Sequence, residues 1–158
     1  WMDPEQFDVF DAPIRKGFEK AGGGKDLTRF EIAPFVTVVM GDDVDACMAP
    51  IRENMALYIG GMGAKNKNFY NDYAKRLGFE EAAEKIQDLY LAGRKDEAAD
   101  AVPDEWVDSR SLVGPAARIK ERYAAWESSG VDSLTVSPAQ DAAVDLMAQL
   151  ARLHPPRE

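Results

Sequence analysis

Few residues in this chain could carry covalent or acid–base chemistry by themselves. It has one cysteine, Cys47, and one histidine, His154. Cys47 falls among apolar residues at helical spacing, so it reads as core, and a lone thiol cannot close an internal disulfide; a reducing cytoplasm is the expected setting. His154 stands beside Pro155 and Pro156 at the end of the chain, where chains commonly fray. A Ser-His-Asp triad or a histidine-rich metal site is therefore not expected. No pair of carboxylates has a spacing that singles it out as acid and base, which leaves the catalytic residues unassigned.

The binding chemistry that does stand out lies in the run Gly60, Gly61, Met62, Gly63, Ala64, Lys65, Asn66, Lys67, Asn68. Its glycines permit close approach, its lysines are cations in an acidic protein, and its asparagines offer amide hydrogen bonds. Gly61, Lys65, Asn66, Lys67 and Asn68 are the residues expected to meet a small-molecule substrate. The same run also fits a glycine-terminated helix, a solvated loop and an asparagine cap for the next helix. Gly114-Pro115 carries a similar ambiguity: a helix N-terminus after a strand can bind phosphate through free N–H groups, and proline in the first turn also simply starts helices. The triplet Gly22-Gly23-Gly24 follows a helix rather than a strand, so it reads as a connector and not as a phosphate loop.

Composition narrows the partners. Asp and Glu total 28 against 19 Lys and Arg, for a net charge of -9. That charge repels phosphate backbones and anionic lipid, so neither nucleic acid nor membrane is expected. No run of 18 or more apolar residues appears. The 158 residues suffice for one domain with its own core. Trp1 followed by Met2 is an unusual opening and raises the expectation of a fragment.

The elements that must position these residues follow from pattern. Asp3-Pro4-Glu5-Gln6 has the grammar of a helix start, and Phe7, Phe10, Ile14 and Phe18 follow at helical spacing, with Pro13 expected to kink or divide the segment. FVTVVM, Phe35 to Met40, is almost continuously apolar and β-branched, as in a strand covered on both faces. Gly41-Asp42-Asp43 then turns into a helical stripe from Val44 to Met62, which Pro50 should bend or break. Stretches from Asn68 to Leu77, Phe79 to Ala92 and Asp96 to Ala101 read as an insertion of further helices, with Gly78 and Gly93 as stops. Ser111 to Val113 is a short strand leading into a helix with Ile119, Tyr123 and Trp126 on one face. Leu134 to Val136 reads as a third strand, and Ala143, Val144, Met147 and Leu150 mark a last helix. This order builds a parallel sheet from βαβ units. Three strands alone leave such a sheet short of cover, and a closed (β/α)8 barrel needs about 250 residues.

YIGGMGAKNKNFY (Tyr58 to Tyr70), IQDLYLAGRKDEA (Ile86 to Ala98), VPDEW (Val102 to Trp106), LVGP (Leu112 to Pro115) and GVDSLTV (Gly130 to Val136) together resemble the C-terminal part of the luciferase-like monooxygenase family, in particular its class using the deazaflavin coenzyme F420. The resemblance implies an α/β fold: the C-terminal portion of a (β/α)8 TIM barrel, strands six to eight, with a helical insertion after strand six. It makes residues 1–158 a partial luciferase-like barrel domain. It implies hydride transfer between F420 and an organic substrate, with FMN and oxygen insertion as the alternative. Gly114 would lie at the cofactor, and Met40 to Asp43 and Ser137 at the strand ends that face the mouth. The first five strands would come from a missing N-terminal half or a second chain, with pairing to another copy as a further possibility. Without them the chain is expected to be inactive.

Overall fold

The computed structural model describes residues 1–152; the expectation for His154 lies outside the described residues. The described residues divide into two compact units, one comprising 1–42 with 109–152, the other 43–108.

The first unit holds a parallel sheet. Asp3 accepts a hydrogen bond from Glu5 N at 2.9 Å and opens a single 3-10 turn, Pro4–Gln6, ahead of helix α1, Asp8–Ala21. Pro13 sits inside α1, which continues through it, so the expected division does not occur. Strand β1 is Phe35–Met40, β2 is Ser111–Gly114 and β3 is Thr135–Pro138. All pairings are parallel, and the order is β2-β1-β3. This agrees with the expected parallel α/β architecture and differs from three consecutive barrel staves, which would place β2 in the middle. β1 lies between its neighbours, with β2 paired along Thr37 to Met40 on one edge and β3 along Phe35 to Val38 on the other.

Helix α7, Ala116–Glu127, and helix α8, Asp141–Leu150, cover one face of this sheet. Val36 and Val38 alternate toward that face and join Leu112, Ile119, Trp126, Ala143 and Met147 in the core, with Met2, Phe7 and Phe10 packed in from the N-terminal segment. Trp126 and Tyr123 thus serve as packing, as their helical spacing suggested. Gly130 lies against the ring of Phe7, where a Cβ would sit 2.7 Å from Cε1.

The second unit is the insertion. Helix α2, Val44–Ala56, starts at Asp43, whose carboxylate accepts from Ala46 N at 3.1 Å, and runs through Pro50 without a break. The stripe does not stay α-helical to Met62; it widens into a π turn over Leu57–Gly61. Helices α3 (Phe69–Arg76), α4 (Glu80–Leu91) and α5 (Lys95–Asp100) match the expected stretches, and α6 (Asp104–Ser109), within the VPDEW string and beyond, is an addition. Buried Trp106 stacks on Phe79 at 4.6 Å between ring centres. Arg52 ties α2 to α6 by donating to Asp45 at 2.6 Å and Asp104 at 2.7 Å. Cys47 is buried, as expected of a core thiol. No helix among the described residues is long and apolar enough to cross a membrane.

Candidate functional site

The C-terminal ends of the strands bring together the segments after β1, β2 and β3. Gly41 N donates to Gly114 O at 3.2 Å, and Ala139 N donates to Val38 O at 2.9 Å. Gln140 closes the arrangement: its Oε1 accepts from Met40 N at 3.1 Å and its Nε2 donates to Met40 O at 2.8 Å. The side-chain amide presents Met40 with the same donor and acceptor that a neighbouring peptide would. Sequence reasoning missed Gln140, because a glutamine before a helix gives no signal of a partner a hundred positions away.

Gly114 is buried with φ 106°, a left-handed conformation that side chains rarely adopt. It turns the chain from β2 into α7, whose N-cap, Pro115, supplies no side-chain hydrogen bond to the first turn. Arg118 occupies the third position of that helix and donates to Val113 O at 2.9 Å. A cation in a first turn opposes the helix dipole, and with uncapped amides it makes the locality suited to an anion. Ser137 is exposed on β3 beside Thr37.

In the insertion, the run from Gly60 to Asn68 is built around the π turn. A π turn shifts hydrogen bonding away from the i to i−4 pattern and leaves carbonyls to be satisfied elsewhere. Asn68 meets that need. Its Nδ2 donates to Tyr58 O and Ile59 O, both at 2.9 Å, while its Oδ1 accepts from Tyr70 N at 2.9 Å and Asn71 N at 3.2 Å. Asn71 adds donations to Ile59 O at 3.3 Å and Ala83 O at 2.8 Å. Asn68 is 1 % exposed, so its amide caps α3 and holds the turn, leaving no group turned to solvent for a ligand. Gly60 and Gly61 are packing glycines: a Cβ on either would lie 2.4 Å from Tyr90 atoms. Gly63 lets the backbone pass Lys67 O, which a Cβ would approach to 2.5 Å.

Asn66, at φ 69°, turns the tip of a tight loop closed by Lys67 N to Ala64 O at 2.8 Å. Lys65, Asn66 and Lys67 are all exposed there. Lys65 pairs with Asp88 at 2.5 Å, with both side chains more than half exposed. The five expected substrate residues thus fall together on one segment, divided into a frame, exposed Gly61 against Tyr90 and buried Asn68, and an exposed tip, Lys65 to Lys67. Next to the tip, Phe69 stacks parallel to Tyr73 at 6.3 Å between centres and is 66 % exposed. No group of three or more His, Cys, Asp or Glu side chains among the described residues could hold a metal ion.

Residues 1–133 match the luciferase-like monooxygenase family, and the chain belongs to that family. Among its relatives, a Mycobacterium tuberculosis protein provisionally named a coenzyme F420-dependent oxidoreductase is 35% identical over 137 residues, covering 87% of this chain and 40% of that protein. The solved coenzyme F420-dependent tetrahydromethanopterin reductase of Methanopyrus kandleri superimposes with a TM-score of 0.66 at 20% identity, over 93% of this chain and 41% of that one. The fold is accordingly a portion of a TIM barrel. The chain spans about two fifths of the length of each.

Proposed function

We propose that this chain supplies one wall of an F420-dependent luciferase-like oxidoreductase, in which a hydride passes between the deazaflavin and an organic substrate. The observation that supports it most is the 35% identity over 137 residues with the mycobacterial relative of that name. The cofactor, when bound, supplies the hydride chemistry; the protein binds, orients and excludes water. Gly114, the uncapped start of α7 and Arg118 form a fitting cradle for a phosphate group of such a cofactor. In the insertion, Lys67 and Asn66 would contact the substrate directly. Lys65 would exchange Asp88 for an anionic substrate group, while Gly61 and Asn68 would hold the loop in shape. FMN is the alternative cofactor, since a phosphate cradle serves both, and the absorbance of the bound cofactor separates them. A reducing cytoplasm is the proposed setting.

The isolated chain is expected neither to bind F420 tightly nor to turn over, because three strands leave a planar tricyclic ring exposed on the side where the other strands of a barrel stand. Submicromolar affinity needs about 8 kcal/mol of net binding energy, which one wall does not supply. Titration of the 158-residue chain with oxidised and reduced F420, read by fluorescence and absorbance, tests this. Tight binding or turnover would show that the catalytic apparatus lies on this chain. A non-catalytic half-barrel that assembles with another chain is the second reading. Its mark would be a stable complex that never binds cofactor.

A further inference from the structure

We propose that the substrate is a planar aromatic carboxylate, whose ring lies on Phe69 and Tyr73 and whose negative group is held by the Arg76 guanidinium. The proposal rests on the substrate role given above to the Lys65–Lys67 tip and names the class of molecule received there.

Helix α3 carries two different faces. Asn71 and Ala74 are its buried residues, and Asn71 is bonded into the π turn. Phe69, Tyr73 and Arg76 stand at positions i, i+4 and i+7, so they form one stripe roughly opposite Asn71 and Ala74. Packing of α3 into the insertion leaves Phe69 66 % exposed. A surface helix normally turns charged and polar side chains outward. Here the outward stripe is aromatic, with one cation at its end.

The rings of Phe69 and Tyr73 are parallel within 4°, with centres 6.3 Å apart. Carbon atoms in contact lie about 3.5–4 Å apart, so parallel rings at this separation are offset, and each leaves much of its face uncovered by the other. Arg76 Cζ stands 6.0 Å from the Phe69 ring centre and 5.9 Å from that of Tyr73. It is a cation shared between two parallel faces. Residues 65–76 carry four cations against one acid, Asp72, in a chain of net charge -9. Lys65 and Lys75 are already paired, with Asp88 and Glu84. Lys67 and Arg76 are exposed and form no ion pair among the described residues. The local charge selects an anion, and the parallel rings select a planar one. A guanidinium receives a carboxylate through two parallel N–H donations.

The stripe is about 10 Å long. A stable protein interface covers about 800 Å² on each partner, and three side chains, one of them half-buried, offer less than that. The occupant is accordingly a small molecule.

The test is titration of the 158-residue chain with naphthoate, followed through amide chemical shifts. Naphthylmethanol, which lacks the charge, and cyclohexanecarboxylate, which lacks the aromatic ring, serve as controls. The expected result is saturable binding of naphthoate that shifts the amides of Phe69 to Arg76, with both controls about tenfold weaker or more. Phe69→Leu, which keeps apolar bulk, should weaken naphthoate about three- to tenfold, and Arg76→Gln about tenfold, each with circular dichroism unchanged. Equal binding of either control, shifts confined to other segments, or no saturable binding would overturn the platform. So would a chain that self-associates and becomes monomeric on Phe69→Leu, since a second copy would then be the occupant. F420 takes no part in the measurement, so a negative result leaves the oxidoreductase reading to its own titration.

Discussion

Replacing Asn68 should damage the insertion more than any other single change in the loop it ends. Asn68→Ala removes the cap of α3, a loss of about 1 kcal/mol. It also removes the Asn68 hydrogen bonds to Tyr58 O and Ile59 O, each worth about 0.5–1.5 kcal/mol net. Ile59 O keeps Asn71, which limits the total to about 2–3 kcal/mol. Asn68→Asp keeps the acceptor that caps α3 but turns a carboxylate oxygen toward Tyr58 O and Ile59 O, where the amide donated at 2.9 Å. That carboxyl is buried among acceptors, so folding holds its proton more tightly than the unfolded chain does. The sign follows: the protonated form contributes stability below the unfolded-state value, and that contribution is lost as pH rises through the folded one. Asn68→Asp should therefore fall further behind the parent as pH rises, whereas Asn68→Ala should show no such trend. Urea unfolding between mildly acid and neutral pH, with hydrogen exchange across Tyr58 to Asn71, measures both. A change below about 0.5 kcal/mol for Asn68→Ala, or a pH trend of opposite sign for Asn68→Asp, would refute the frame assigned to this residue.

Gly60→Ala should destabilise the insertion by about 1–3 kcal/mol, since its Cβ meets Tyr90 Cβ at 2.4 Å; Gly61→Ala meets only the ring, and Tyr90→Leu should relieve it in a double-mutant cycle. Lys65→Ala should cost less than about 1 kcal/mol, because its partner Asp88 is equally exposed, while in the complete enzyme it should weaken an anionic substrate. Gly114→Ala should cost about 1 kcal/mol or more from its φ of 106°, read by thermal unfolding. Burial, reinforced by Glu127, raises the Tyr123 phenol above its ordinary value. Spectrophotometric titration against Tyr123→Phe should show that phenol ionising above the ordinary tyrosine value, with the folded state losing stability as pH climbs through this range.

The parallel sheet and most helices were legible because they rest on local signals: the apolar run of β1, the glycines at 78 and 93, and the spacing of Ile119, Tyr123 and Trp126. The strand order was not legible, because it is set by pairing between segments far apart in the chain, and the local pattern of a strand carries no mark of its neighbour. Pro13 and Pro50 were expected to kink, bend or divide their helices, and both helices continue through them at the loss of one N–H donor each. Within Gly60 to Asn68, residue types pointed to binding, but the π turn that absorbs Asn68 has no sequence signature. Only the geometry separates the residues that shape the loop from those exposed at its tip.

The staggered pairing of the sheet also bears on how the chain reaches its native state. β1 is joined to Ser111 on one side and Thr135 on the other, across most of the length of the chain. These distant pairings reward the chain only after long loops have closed, whereas helices built on neighbouring contacts form in about a microsecond. Folding of residues 43–108 ahead of the sheet would turn the longest of those loops into an ordered body, leaving less slack chain to search. In that order of events the insertion would serve as a kinetic chaperone for the sheet that flanks it. Mutations that slow its helices would delay strand pairing without touching a single strand residue.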